Sequence, residues 1–337
     1  MWLFITICLN SIFKIMVTDK LGNEIYDRMR KNRFILFKAI IFILFFLSIS
    51  LVHAQKADSA YVAAYHQKMW VTGYISTSTL QLNRDNTTFS PNYPINAGVG
   101  LGIRNTMVNF LLGHSIIPLK GSEYGKTKST DLQIHNYGRN YVVDLYYQKY
   151  KGFYTEDKKI INLFPDLSVQ QIGAEGTYIF NGNKFSAKAA FEQSEKQKAS
   201  VGSFLLGGGA YWHRVVPILD NDIDSNTPFD NLQLGVNGGY AYSWVIDKHW
   251  LLTGMATIGA NFGNETAALK DGKIKIYPTA LARAASTYHR DDWSLSFSML
   301  INNKVAYPKA GSSFDLTTLS MQLSYVKQID GIFKKVK

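Results

Sequence analysis

The chain has 337 residues, with 36 Lys and Arg against 25 Asp and Glu, a formal net charge of +11 and a single cysteine. One cysteine, Cys8, excludes a disulfide framework and a Cys-ligated metal centre. The basic residues are dispersed and accompany no nucleic-acid-binding motif, so their excess suits an anionic lipid surface.

Residues 1–54 read as a targeting segment and are set apart from the fold. Arg30, Lys31, Arg33 and Lys38 form a basic region, and Ala39–Val52 is an uncharged run of 14 residues. Val52-His53-Ala54 then places small residues at positions −3 and −1 of a cut between Ala54 and Gln55. The run is short of the roughly 20 residues a spanning helix needs. This is the pattern of a secretory signal peptide starting at Met29, with residues 1–28 an over-extended gene start; an N-terminal membrane helix is the alternative. Cleavage removes Cys8 and leaves no lipobox cysteine. Residues 1–54 hold seven of the 36 basic and three of the 25 acidic residues, leaving 29 against 22, or +7. Residues 55–68 are expected to form a periplasmic lead-in, with a short helix over Asp58–Lys68.

From Met69 to residue 328 no apolar run is long enough to cross a membrane as a helix, and a period of two takes over. Leu232, Leu234, Val236, Gly238, Tyr240, Tyr242, Trp244 and Ile246 alternate with Gln233, Gly235, Asn237, Gly239, Ala241 and Ser243. After Asp247-Lys248 the alternation resumes with Trp250, Leu252, Ala256, Ile258 and Phe262 opposite Thr253, Thr257, Gly259 and Asn261. Successive Cβ atoms of a strand point to opposite faces, so this is a long hairpin. One face is large and apolar with aromatic ends. The other carries Gly, Ser, Thr, Asn and Gln. A water-soluble sandwich or lipocalin-like barrel would place Lys and Glu on its second face; lipid outside and a polar interior fit an outer-membrane barrel. The same pattern recurs over Ile95–Arg104, Asp131–Tyr137, Tyr141–Gln148, Phe185–Glu192, Ser203–His213, Trp293–Asn302 and Thr318–Tyr325.

Tight turns are expected at Arg104-Asn105, 138–140, 181–183, Asp247-Lys248 and 290–292, with longer loops near 84–92, 119–126, 155–165, 216–228, 264–272 and 307–313. Thirteen strands can be counted, but termini on one side demand an even number. The alternation slips between Phe185 and Phe229, and one strand is miscounted near 196–200 or 69–83. The expected fold is an all-β antiparallel transmembrane β-barrel of about 12 strands, within 10–14, followed by a tail over 329–337.

Several stretches together resemble the family called domain of unknown function 4421, of secreted and outer-membrane-type proteins of Bacteroidota. They are Pro94–Arg104 (PINAGVGLGIR), Gly125–Ser129 (GKTKS), Asp131–Tyr154 with YGRNYVVDLYYQKYKGFY, and Phe185–Gly207 with AAFEQSEKQKASVGSFLLGG. The resemblance runs from about Met69 to the C-terminus. It implies an outer-membrane barrel and supplies no catalytic residues. The chain departs from many such barrels in continuing to Lys337 instead of stopping on an aromatic residue.

Gly98-Val-Gly100-Leu-Gly102 superficially matches a dinucleotide loop, but its glycines recur at strand spacing with no helix after them. Gly207-Gly208-Gly209 lacks the Lys-Ser/Thr of a phosphate loop. Such glycines on an inward face relieve crowding or allow curvature. The inward polar set is Arg104, Asp131, His135, Asp144, Glu175, Lys188, Glu192 and Arg283. Charges facing a lumen must be paired or wet, so an internal salt-bridge network is expected, with a solute path as the alternative. His135 and Asp144 lie on neighbouring inward faces, but no nucleophile is identified, and the other histidines lack metal-ligand spacing. No catalytic, cofactor or metal site is expected. The sequence points to a structural or narrow-pore component of the Gram-negative outer membrane. Its expected partners are outer-membrane lipid, the barrel-insertion machinery and small solutes. A lipid-modifying or hydrolytic enzyme, or a surface binding protein acting through its loops, are the alternatives.

Overall fold

The computed structural model describes residues 57–103, 106–110, 117–118, 120–216, 228–306 and 313–330. The signal segment with its cut at Ala54 and Gln55, Arg104, the Arg104-Asn105 turn and the tail after 330 lie outside the described residues. So do the loop centres at 217–227 and 307–312.

Sixteen strands appear among the described residues. The first eight are β1 (Val62–Ala64), β2 (Met69–Arg84), β3 (Thr87–Phe89), β4 (Pro94–Ile103), β5 (Thr106–Phe110), β6 (Ile117–Pro118), β7 (Lys128–Tyr137) and β8 (Tyr141–Asp157). Then come β9 (Ile160–Ile179), β10 (Glu195–Gln197), β11 (Val201–Val216), β12 (Phe229–Val245), β13 (Trp250–Glu265), β14 (Lys275–Arg290), β15 (Trp293–Ala306) and β16 (Phe314–Ile329). Twelve of them form one antiparallel sheet in the order β2-β16-β15-β14-β13-β12-β11-β9-β8-β7-β5-β4. Because β2 pairs with β16 over Met69–Asn83 and with β4 over Met69–Ser76, the sheet closes on itself. The architecture is a twelve-stranded antiparallel transmembrane β-barrel, the expected strand number.

Closure leaves the wall without a first or last strand, the condition for placing strands in lipid. The outward residues of β12 are those the alternation selected: Leu234 and Val236 are fully open, and Asn231, Gln233 and Ser243 are buried inside. At the end where β2 begins and β16 ends, called here the terminal end, an outward aromatic girdle runs from strand to strand. Tyr242–Trp244, Trp250–Tyr288, Tyr288–Trp293 and Trp293–Tyr325 have ring centroids 4.7–5.9 Å apart. Inside, hydroxyls opposite each other in register pair across strands: Ser243–Thr253, Thr287–Ser296 and Ser78–Ser320, each at 2.8 Å.

Four local expectations are corrected. Asp58–Lys68 is not a helix but a turn followed by β1. Phe185–Glu192 is not a strand: Lys188–Glu192 is one turn of π-helix. Its alternation misled because this segment lies within the mouth of the barrel rather than in its wall, so Phe185, Ala187, Ala189, Ala190 and Glu192 are buried together. Removing this false strand turns thirteen into twelve, and Met69–Arg84, the weakest by alternation, is a regular strand of 16 residues. Asn181–Asn183 does turn tightly, with Lys184 N donating to Asn181 O at 3.1 Å, but it opens a long terminal-end excursion instead of joining two wall strands. The 155–165 loop is largely strand: β8 and β9 continue as a hairpin to a turn at Lys158-Lys159, where both residues have positive φ.

The glycine alternation of β4 has a steric origin. Gly98 and Gly102 sit opposite Tyr74 and Trp70 of β2, and a Cβ on Gly102 would lie 1.8 Å from the indole ring. On the outward face of β2, a Cβ on Gly73 meets nothing within 4 Å. Gly102→Ala is expected to cost about 1–3 kcal/mol by overpacking and Gly73→Ala less than about 0.5 kcal/mol. Urea titration of the refolded barrel checks both; equal effects would contradict the steric account.

Candidate functional site

The lumen is layered along its axis, and the inward faces of single strands spell out the layers. From the terminal end, β9 presents Ile179, then Thr177, Glu175, Gly173 and Gln171, then Val169 and Leu167. Likewise β2 passes from Ser76 and Ser78 to Leu80 and Leu82, and β16 from Ser320 and Thr318 to Leu316 and Phe314. The polar middle layer lines a cavity of about 220 Å³. A smaller one of about 40 Å³ shares Asp144, Glu175, Arg283 and Lys304 with it.

Five of the eight sequence-selected residues line that chamber: Asp131, His135, Asp144, Glu175 and Arg283. Asp131 accepts from Gln133 Nε2 at 3.0 Å and Gln148 Nε2 at 3.1 Å. His135 and Asp144 are opposite in register, and Nδ1 donates to Oδ1 at 2.5 Å. Asp144 is in turn opposite Glu175, a like-charge pair that would repel if left alone. The compensating charge comes from across the barrel. Lys304 of β15 contacts Glu175 at 3.1 Å, donates to the Tyr146 hydroxyl, and stacks over the ring of Tyr211 at 3.9 Å. Arg283 of β14 lies over the Phe191 ring at 5.1 Å.

Lys304 was missed because the outward pattern of β15 fades after Ile301, and the strand was ended at Asn302. Extending the alternation by one inward step would have found it. Lys188 and Glu192 do not belong to the chamber wall. They sit on the π-helix at the terminal end, where Lys188 approaches Glu195 at 3.7 Å.

The terminal-end excursion, residues 180–200, is held as a plug. Arg139 pairs with Glu195 Oε1 at 2.5 Å, and Ser186 Oγ donates to Glu195 Oε2 at 2.6 Å. Gln328 Nε2 donates to Gln193 O at 2.8 Å, tying the plug to β16. The lead-in is stitched to it through β1–β10 pairing and through Lys198 Nζ donating to Ser59 O at 2.7 Å. Phe185 and Ala187 pack with Tyr137, Ile179, Leu205 and Ala241 into an apolar cluster against the β7–β12 side of the terminal end.

A second apolar cluster fills the far end, drawn from β2, β8, β9, β11, β12, β15 and β16. Leu80, Leu82, Tyr150, Phe153, Leu167, Val169, Val215, Phe229, Phe314 and Leu316 form one cluster with Phe89 and Tyr93 of the loop between β2 and β4. Phe229 stacks on Phe314 with centroids 5.8 Å apart, although β12 and β16 are four steps apart around the ring. Asn92 fastens that loop by donating to Gly125 O at 2.7 Å and accepting from Lys120 N at 3.2 Å. The far end thus departs from the expected polar lumen, while the middle, and the terminal end along β12–β15, keep polar inward faces. Among the described residues, no cluster of three His, Cys, Asp or Glu could hold a metal ion, and no serine or threonine hydroxyl hydrogen-bonds to the His135–Asp144 pair.

Two outcomes are expected. Lys304→Met strands Glu175 and should cost up to about 3 kcal/mol, most of it recovered in Lys304→Met/Glu175→Gln; a double-mutant cycle by urea unfolding would show no recovery if the pair is unimportant. Glu192 is fully buried and neither carboxylate oxygen has a hydrogen-bond partner. Burial, partly offset by Lys188, pushes its carboxyl up to about 8 from 4.5. An acid raised on folding takes up a proton between those two values, so stability declines as pH rises through that window. The unfolding temperature should fall across it, and Glu192→Gln should flatten the profile.

Residues 56–326 match the family described as Domain of unknown function (DUF4421). No curated protein matches the sequence. Among solved structures, the β domain of the Bordetella autotransporter BrkA is 12% identical with a TM-score of 0.36, covering 77% of this chain and 99% of that one. A bacterial polysaccharide outer membrane secretin is 6% identical with a TM-score of 0.34, covering 77% and 99%. The outer membrane protease OmpT from Escherichia coli is 5% identical with a TM-score of 0.32, covering 82% and 99%.

Proposed function

This chain belongs to the DUF4421 family, and we propose that it is an outer-membrane β-barrel with a closed lumen, a structural membrane component and not a conducting pore. The observation that carries this reading is the pair of apolar clusters on either side of the charged chamber, above all the Phe229–Phe314 contact across the far end, together with the plug seated in the terminal end. A solute path needs continuous polar surface with unpaired charge, whereas here the inward acids meet Lys304, His135 and amide donors. Short terminal-end turns facing the periplasm and longer connections outside are the usual arrangement of these barrels. Export through a signal peptide cut after Ala54, and insertion by the cell's barrel-assembly machinery, complete the proposal.

A binding role at the cell surface has one supporting observation, the β8–β9 hairpin beyond Gly152. Lys120 clamps its stem by pairing with Glu156 at 2.8 Å and lying over the Tyr124 ring at 4.2 Å. An enzyme reading rests on the His135–Asp144 pair alone, to which no serine or threonine hydroxyl among the described residues hydrogen-bonds.

Planar-bilayer recording of the folded protein, verified by heat-dependent gel mobility, should show no discrete conductance steps. Steps of defined size from a verified sample would overturn the closed-lumen reading.

A further inference from the structure

The outward faces of β7, β8, β9 and β11 change character at one level. Nearer the terminal end they carry Leu132, Ile134, Leu145 and Ile172. Beyond these come Lys128, Lys149, Lys151 and Arg214, all exposed. Register places Lys128 directly opposite Lys151 and puts Lys149 and Arg214 on either side of Gln170. Like charges opposite each other in a sheet are destabilising unless something neutralises them. Lys151 and Arg214 have solvent-open acid partners, Asp166 at 2.8 Å and Asp230 at 3.8 Å. Among the described residues, Lys128 and Lys149 have no acid partner.

Among the described residues, the cluster is confined to one side of the barrel. Outward residues toward the far end of β13, β14, β15, β16 and β2 include Phe262, Ile276, Asn303, Thr317 and Gln81, with no cation. Its height is also specific. Tyr141 and Tyr178 face each other at the terminal-end rim, and Lys149 and Lys151 lie about 8 and 10 residues further along β8, the length of strand that crosses the hydrocarbon of a bilayer. Cations with long apolar stems at that level hold their charge in the headgroup layer.

We propose that this face binds the phosphate groups of a phosphorylated lipid in the leaflet that surrounds the far end, with Lys128 and Lys149 as the unneutralised contacts and Lys151 and Arg214 flanking them. The inference rests on the membrane reading above and deepens it, from a barrel in lipid to a barrel with a preferred lipid on one side.

The test is native mass spectrometry of the folded protein in detergent with diphosphoryl lipid A, dephosphorylated lipid A, or inorganic phosphate. The wild type should retain diphosphoryl lipid A, and Lys128→Gln/Lys149→Gln should retain roughly tenfold less or lower still. Equal retention by the variant, or by the wild type of the dephosphorylated lipid, would overturn the proposal. Displacement of the lipid by millimolar inorganic phosphate would assign the site to a soluble anion and overturn it as well. Insertion into phosphatidylcholine vesicles separates the two readings: insertion without lipid A preference sinks this inference alone, and failure to insert sinks both.

Discussion

Satisfying every backbone N–H and C=O without water is the constraint on which the rest of this structure depends. The sheet meets it by returning to its first strand, so that β2 serves two neighbours at once. That seam has consequences inside. Two large rings, Trp70 and Tyr74, point into the lumen beside β4, and they fit only because β4 offers glycine at the facing positions. Closure, glycine spacing and aromatic placement are therefore one arrangement.

A twelve-stranded ring leaves more interior than its wall side chains need to fill, and the chain fills it unevenly. Aromatic and aliphatic groups occupy both ends, one of them with help from an inserted plug and the other from an inserted loop. Charged groups are kept to the middle, where a small chamber lets them stay hydrated or pair across the barrel. Lys304 is the hinge of this arrangement, since it neutralises one of two facing carboxylates from the opposite wall. Buried ionic groups of this sort contribute little net stability when intact and cost much when one partner is lost.

Much of the wall was legible from alternation alone, because lipid on one side and a polar interior on the other impose period two on nearly every barrel strand. The inward positions of Asp131, His135, Asp144, Glu175 and Arg283 followed from it. Placement around the ring did not, since local spacing carries no information on which strands face each other across a lumen. This is why Lys304 and its partner Glu175, 129 positions apart in sequence, could not be joined. The plug defeated the reading for a different reason. Its alanines and phenylalanines mimic a strand, but they are buried on all sides, so their spacing reports no sheet face. Two of the family-like stretches, one holding Arg139 and the other Glu195, meet through the ion pair of those residues and through the cluster that Tyr137 shares with Phe185 and Ala187.

The plug is knitted to the lead-in by β1–β10 pairing and by hydrogen bonds from Asp58 N to Asn183 O and from Lys198 N to Tyr61 O. Tension on the chain ahead of β1 therefore passes into the plug as well as along the chain into β2, and the plug shares it with the wall through Arg139, Gln328 and its joins to β9 and β11. The segment is a mechanical linkage: a load applied ahead of β1 would be felt by the plug that fills this mouth of the barrel as well as by the wall strands.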